Sequence, residues 1–503
     1  MAATLFATAA ASAADLKLIY SEILSSPTSS VPGALDAAGQ PVATTWASLA
    51  SPGLSVRING DDWVVRGTTT QVVSLDNILI RGCGSTGSMF LQEGQPLQGG
   101  GAPGEAYSFF DSPPADFNAS GQIAYSCRAT GGVTTDDEKL ATYQNGAHTI
   151  ILQQGSPLLG LQNQSATIVC TNPVVGNSIG SVTRLDSGVV AWGNTPITGC
   201  SSFLYPALFN GNMAVMQNGI TTLTSGQVGE ERIDGFSYDD AAFSPDGQHI
   251  LINATTNNPD TTRDDILLLD TGAIMRRLSP IFGTSVIYDE TFHTWYAPNG
   301  DWYVRGDDPS ANDWAVRNGT MLAKTGDPIT TSSAELFGNT ISSFVGNADG
   351  DWIIVGNTNN PDLNVDTVLV LNGTQVIVRE GDPIDVDGDG QFDDDAFIAT
   401  FSPDSAFITN DDVLYFLGTL RNGALTTLGS MMIRADLGPA CDADIDGSNS
   451  VDVNDLLAVI TTWGPCVTCP AVACPADIAP ECPDCVIDVN DLLAVISTWG
   501  RCP

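Results

Sequence analysis

Positive charge is scarce in this 503-residue chain: 18 Lys and Arg stand against 58 Asp and Glu, a formal charge of −40. A surface this acidic repels polyphosphate and anionic lipid, so nucleic acid and membrane surfaces are excluded as partners, while calcium or a cationic partner suits it. Histidine is nearly missing too, with only His148, His249 and His293, each isolated in sequence. There is no G-x-S-x-G elbow, H-E-x-x-H zinc motif, P-loop or dinucleotide fingerprint, and no catalytic residue is nominated. No run reaches the roughly 18 apolar residues of a membrane-spanning helix, so no membrane insertion is expected. Helical periodicity is almost absent before residue 450.

What the chain has instead is turns, drawn from 51 glycines. A turn followed by an apolar run recurs at Asn59-Gly60, Ser120-Gly121, Ser187-Gly188, Asp246-Gly247, Asn299-Gly300, Asp349-Gly350 and Asn410-Asp411, at spacings of 50 to 67 residues. A Gly-x-Pro echo follows four of these by about thirty residues, at Gly94, Gly155, Gly326 and Gly381. Glycine tolerates φ > 0 and proline cannot extend a ladder, so the echo marks strand ends. Equal β units of this size predict a mainly β fold, a seven-bladed β-propeller of four-stranded blades followed by a small α-helical calcium-loop domain. Residues 16–22 are expected to complete the last blade. Trp63, Trp302, Trp314 and Trp352 could stack sugars but read more simply as repeated core positions.

Two propeller resemblances follow. Ala242-Phe-Ser-Pro-Asp-Gly247, with a partial copy at Phe401-Ser-Pro-Asp404, is similar to the strand-entry turns of bacterial periplasmic Tol-type and WD-like propellers. Asp385, Asp387, Asp389 and Asp393 resemble the D-x-D-x-D-G-x-x-D calcium loop of integrin-type propellers and thrombospondin repeats, with Asp394 or Asp395 able to complete the shell. Carboxylates at that spacing repel one another without a cation.

The chain closes on a 36-residue repeat in which 13 of 16 residues are identical between Val451–Cys466 and Ile487–Cys502. In the first copy Asp444, Asp446, Ser448, Asp452 and Asp455 fall at positions 1, 3, 5, 9 and 12 of a calcium loop, and Ser450 at position 7 offers a backbone carbonyl. Leu456, Leu457, Val459, Ile460 and Trp463 then form one apolar helical face that the two copies could bury against each other. The second copy keeps Asp484, Asp488 and Asp491 but has Cys485 where glycine is usual, so one good and one degraded site are expected. This arrangement resembles a type I dockerin, a pair of calcium-loop-helix repeats that docks on cohesin domains of extracellular proteins. The resemblance implies calcium as cofactor, a cohesin-like partner, and partner-reading residues at Val453, Asn454, Val489 and Asn490.

Eleven cysteines point to an oxidising compartment. The symmetry of the repeats suggests Cys441–Cys466 and Cys474–Cys502 bridges with Cys482–Cys485 as a local pair; Cys83, Cys127, Cys170 and Cys200 could form two more. A zinc site from Cys466, Cys469, Cys482 and Cys485 is the alternative that the spacing leaves open. Ala11-Ser-Ala13 resembles the end of a secretory signal peptide, without a basic n-region. The division expected is a signal peptide at 1–14, a propeller at 15–437 and a dockerin-like domain at 438–503. The function expected is a secreted or cell-surface, non-catalytic binding and scaffold propeller with a glycan as candidate ligand, attached through a calcium-dependent module to a larger assembly. The alternative is a dockerin-bearing propeller hydrolase acting on polysaccharide.

Overall fold

The structure is a computed structural model and describes residues 15–132, 137–157, 159, 178–185, 188–196, 204–210, 213–217, 221–224, 231–437, 443–446, 448, 450–466, 474, 476–478 and 486–501. Each repeat becomes an antiparallel sheet whose strands pair in chain order. In the unit at 46–92, Trp46–Val56, Asp62–Thr69, Asn77–Cys83 and Thr86–Gln92 run from inside to outside. The turns picked out by glycine lie between the innermost strand and the second. The Gly-x-Pro echoes follow the outermost strand and bond it to the next sheet: Gly94 N–H donates to Tyr107 O at 2.8 Å, and Gly326 and Gly381 do the same to Phe337 and Ile398. Gly94 has φ +79, and a Cβ there would lie 2.4 Å from Leu75, so both conformation and space demand glycine.

The fold is mainly β, and the expectation of a seven-bladed propeller plus a helical domain is corrected to a six-bladed propeller with two short helices. Six sheets are four-stranded blades, at 46–92, 178–217, 233–276, 290–324, 337–379 and 397–436 with 15–21. The sheet at 106–153 is built differently, with five strands. Pro113 and Pro114 have no N–H to give a ladder, and its inner edge breaks into Ala106–Phe110 and Asp116–Phe117, both paired with Ile123–Thr130. Among the described residues beyond the ring there is no helical domain in the expected sense. Among the described residues the α-helices are two of nine residues, α1 (Val453–Thr461) and α2 (Val489–Ser497), tied by two-residue ladders. No helix among the described residues is long and apolar enough to cross a membrane.

Closure of the ring is direct. Asp15–Ser21 pairs antiparallel with Thr427–Asp436, giving the last blade its outermost strand. The innermost strands Trp46–Val56 and Phe397–Ile408 then pack together. The core here joins first and last blades through Tyr20, Trp46, Trp63 and Tyr415, with Tyr20 tilted against Trp46 at 5.2 Å and edge-on to Trp63 at 5.8 Å. Gly82 makes room for the Trp63 indole, since a Cβ would stand 2.1 Å from its ring. Trp63 and Trp314 are fully buried, as core positions should be, whereas Trp302 and Trp352 are half-buried.

Two outcomes test this architecture. Deleting residues 1–24 strips Leu18, Ile19 and Tyr20 from the core, worth about 1.5–3 kcal/mol apiece, and bares the Thr427–Asp436 edge. The truncated protein should aggregate or melt far below the full chain in calorimetry. The second concerns Asp307, whose carboxyl is pushed from 3.8 to about 6 by burial and then by Asp289, Asp313, Glu290 and Asp308. Its folded pKa lies above the unfolded value, so the native state holds a proton the unfolded chain has released, and the stability it contributes fades as pH rises from about 4 through 6. Asp307→Asn should gain melting temperature over wild type at pH 7 and lose that advantage at pH 4.

Candidate functional site

The acidic loops come first. In the loop between Gln375–Arg379 and Phe397–Ile408, oxygens of Asp385, Asp387 and Asp394 lie within 4.8 Å of one another. Asp385 accepts N–H bonds from Gly388 and Gly390, both at 2.8 Å. Two of the expected ligands are not brought in. Asp389 accepts from Gln391 N–H at 2.7 Å, and Asp393 is exposed. The reason is that Asp394 folds back to accept the Val386 N–H at 2.6 Å, and the residue before it faces away. The backbone N–H of Asp389 lowers the Asp387 pKa, but burial and the charges of Asp389, Asp394 and Asp385 outweigh it and raise it.

The C-terminal loop gathers Asp444, Asp446 and Asp455 within the same 4.8 Å. Asp455 is fully buried, accepting from the N–H groups of Asp446 and Asp452. Ser448 donates to Asp444, and its hydroxyl reaches the Ser450 carbonyl at 3.0 Å. Asp452 and Asp488 act as N-caps of the two helices, each in a reciprocal capping box with Asp455 or Asp491. In the second copy Asp491 is buried and takes the N–H of Ile478, which brings Asp477 to the start of α2; Asp484 lies outside the described residues. The expected disulfide pairing is corrected. Cys466 bonds Cys474, with Cα atoms 6.2 Å apart, which rules out both Cys441–Cys466 and Cys474–Cys502. The two cysteines are eight residues apart in the sequence, so the loop between them costs less to close than either symmetric pairing. Cys441, Cys482, Cys485 and Cys502 lie outside the described residues, as do Cys170, Cys200 and the expected signal peptide at 1–14. Cys127 is a buried free thiol rather than half of a bridge, and Cys83 is disulfide-bonded.

The helix faces also differ from the expectation that they would bury each other. Val459 and Val495 are buried in a small core with Val451 and Ile487, but Leu457, Ile460 and Trp463 are about half exposed. So are their repeats Leu493, Ile496 and Trp499, together with Val453 and Val489; Asn454 and Asn490 stand exposed beside them.

A third constellation was not legible in the sequence. At the end of the central channel where the innermost strands leave for their first turns lies a cavity of about 360 Å³. Asp404 reaches it from a four-residue bulge, 402–405, within Phe397–Ile408, at φ +48. Phe401-Ser-Pro-Asp404 is thus no strand-entry turn, whereas Ser244-Pro-Asp-Gly247 is one. The Arg305 guanidinium clamps Asp404 through Nη2 at 2.5 Å and Nε at 3.2 Å, and His293 Nδ1 stands 3.5 Å from the same carboxylate. Arg305 is buried and also donates to Ile341 O at 3.0 Å. The other histidines have partners as well: His249 is raised in pKa by its bond to Asp270, and His148, lowered by burial, meets the Tyr125 hydroxyl at 2.8 Å. The signal that could have found the cavity is Ser-Pro interrupting the inner edge of a sheet, at Ser51-Pro52, Ser112-Pro113 and Ser402-Pro403.

No protein-family model matches the chain, and no curated protein does. Solved propellers are similar to it. The β-propeller domain of the Trilobed protease from Pyrococcus furiosus is 7% identical, with a TM-score of 0.40 over 78% of this chain and 96% of that one. TolB from Acinetobacter baumannii is 13% identical, with a TM-score of 0.26 over 62% of this chain and 63% of its own. The α-L-arabinofuranosidase of Fusarium graminearum is 9% identical, with a TM-score of 0.31 over 81% and 97%.

The Arg305–Asp404 pair is open to a double-mutant cycle. Asp404→Asn leaves a buried guanidinium without its counter-charge and should cost about 3 kcal/mol in urea unfolding. Arg305→Met should cost less, because Asp404 keeps some exposure to water, and the double variant should cost clearly less than the sum.

Proposed function

We propose that the chain is a non-catalytic binding and scaffold module of an extracellular or cell-surface assembly, a propeller attached through a calcium-dependent, dockerin-like helix pair to a cohesin-like domain. The observation that carries this is the matched pair of exposed apolar stripes: Val453, Leu457, Ile460 and Trp463 on and just after α1, and Val489, Leu493, Ile496 and Trp499 on and just after α2. Each helix already buries its other face in the small core, so these stripes are surplus to folding and have the character of an interface. Both lie behind an N-cap fixed by a buried aspartate, which sets the start of each helix in the same register.

Calcium fits the loops. Three carboxylates within 4.8 Å at two places, with Asp444, Asp446 and Asp455 offering hard oxygens, form the donor chemistry that this ion takes. The ion would offset the repulsion between those carboxylates and hold the loop against α1. In the second loop the described residues supply Asp477, Asp488 and Asp491 in sequence reach of one another, a weaker donor set. The Cys466–Cys474 bond favours an oxidising, extracytoplasmic destination. A polysaccharide hydrolase remains the second reading, favoured by one observation, the His293–Asp404 contact beside the channel cavity.

The test uses the full-length oxidised protein. Calorimetry with type I cohesin domains should show a one-to-one complex that chelator abolishes. Leu457→Ser with Ile460→Ser should weaken it, and adding Leu493→Ser with Ile496→Ser should remove it while circular dichroism stays that of the wild type. Binding that ignores both stripes, or survives chelator unchanged, would sink the reading. Asp444→Ala with Asp455→Ala should raise the calcium concentration needed for half-maximal complex at least tenfold.

A further inference from the structure

The channel cavity has walls of two kinds. Phe292, Trp295, Tyr296 and Phe407 present aromatic surface, and Phe292 remains 37% exposed although it belongs to an innermost strand. Trp295 spends its indole N–H on Gly346 O at 3.0 Å and packs 5.7 Å from Phe407, so the ring is held in place. Between the aromatics stands Thr294, buried to 3% exposure, whose hydroxyl has no hydrogen-bond partner within the protein. A buried polar atom left so is costly, and a ligand hydroxyl aimed at it would recover that cost.

The ionic groups of the walls are already engaged. Asp404 is clamped by Arg305, Arg57 donates to Asp62 at 3.0 Å and to Ala119 O at 2.7 Å, and Asp116 accepts from the Phe117 N–H. A charged ligand would have to compete with these bonds. A neutral ligand with apolar faces and many hydroxyls would not.

The cavity does not end at the channel. A second cavity of about 370 Å³ shares Pro245, Tyr296 and Pro298 with it and continues outward to His249 and Trp302. Asp246 on that wall already accepts from Ser244 and Gln248, so it repeats the rule that the carboxylates are spoken for. Tyr296 is the bridge between the two, its hydroxyl pushed up to about 12 by burial, Asp270 and Asp246, so that it stays a neutral donor at any working pH.

From this we infer that the two cavities form one cleft for a neutral glycan chain, one sugar unit entering the channel against Trp295 and Thr294, the chain crossing Tyr296 and leaving over Trp302. Aromatic rings meet the apolar faces of successive sugar rings, and each cavity lies in the size range of small-ligand sites. This rests on the reading of the propeller as a binding module and is independent of how its tail docks.

Titration calorimetry of the full-length protein with a panel of linear neutral hexasaccharides (glucan, xylan, mannan and arabinan) and with oligogalacturonate as the charged control decides it. At least one neutral hexasaccharide should bind one-to-one, and the charged control should not. Tyr296→Ala and Trp302→Ala should each weaken binding about tenfold, the loss expected from one stacked ring, and Thr294→Val should weaken it with no loss of melting temperature. A panel on which no neutral glycan binds overturns the inference, as does binding that survives Tyr296→Ala with Trp302→Ala in a protein that melts like the wild type. Chain cleavage during the titration, abolished by Asp404→Asn, keeps the cleft but removes the non-catalytic reading, so the two failures are told apart.

Discussion

The pairing of Asp15–Ser21 with Thr427–Asp436 is the contact on which the rest depends, because an array of sheets that does not close leaves an edge at each end. Once that seam forms, the first and last innermost strands are neighbours and the channel between all of them exists. The seam is reinforced on the rim. Tyr415 donates to Asp61 at 2.6 Å, and Arg434 reaches the same carboxylate, so the last blade holds the first turn of the first blade by a charge network. Burial raises the Tyr415 pKa first and Asp61 raises it further, which keeps the hydroxyl protonated as a donor.

The rim continues as a chain of turn-to-turn bonds. Asn299 donates to Ala348 O, Ala348 N–H to Asn410, Asn410 to Asn59, and Arg57 to Ala119 O. Each bond links the first turn of one sheet to that of the next, and these turns frame the mouth of the channel cavity. The bulges at 50–53, 237–240 and 402–405 project from the same innermost strands. A closed rim lets such excursions occur without loosening the sheets, since the strands either side of a bulge are held from both ends. The Arg305–Asp404 clamp is the clearest product: it joins two blades that are separated in the ring by a third.

Much of this was readable because it is local. Turn, apolar run and Gly-x-Pro are properties of a few consecutive residues, and they gave the phase of the strands along the whole described ring and the closing role of residues 16–22. What could not be read is what depends on distant residues meeting. Pro113-Pro114 was visible as a pair of prolines, but that it would split an inner strand into two pieces of one sheet depends on the partner strand Ile123–Thr130. Spacing nominated Asp389 and Asp393 as ligands, yet the loop folds on Asp394 instead, because a carboxylate seeks buried N–H groups as well as a cation. Repeat symmetry suggested cysteine pairs, and chain proximity chose another. A 3.6-residue apolar period told that α1 and α2 have a face to cover, not how much of it the fold would cover; part of each face is buried in the small core and part stays exposed.

The strand Thr427–Asp436 is third in its sheet, bonded to Val413–Arg421 on one side and to Asp15–Ser21 on the other, and the tail carrying α1 and α2 leaves from its end. A tether attached to an outermost strand could be peeled away one bond at a time. Here a pull arriving at residue 437 enters a strand braced by two ladders, and both must give before the ring opens. A pull on the tail is therefore met by a strand with a ladder on either side, and it loads the seam that Asp15–Ser21 closes.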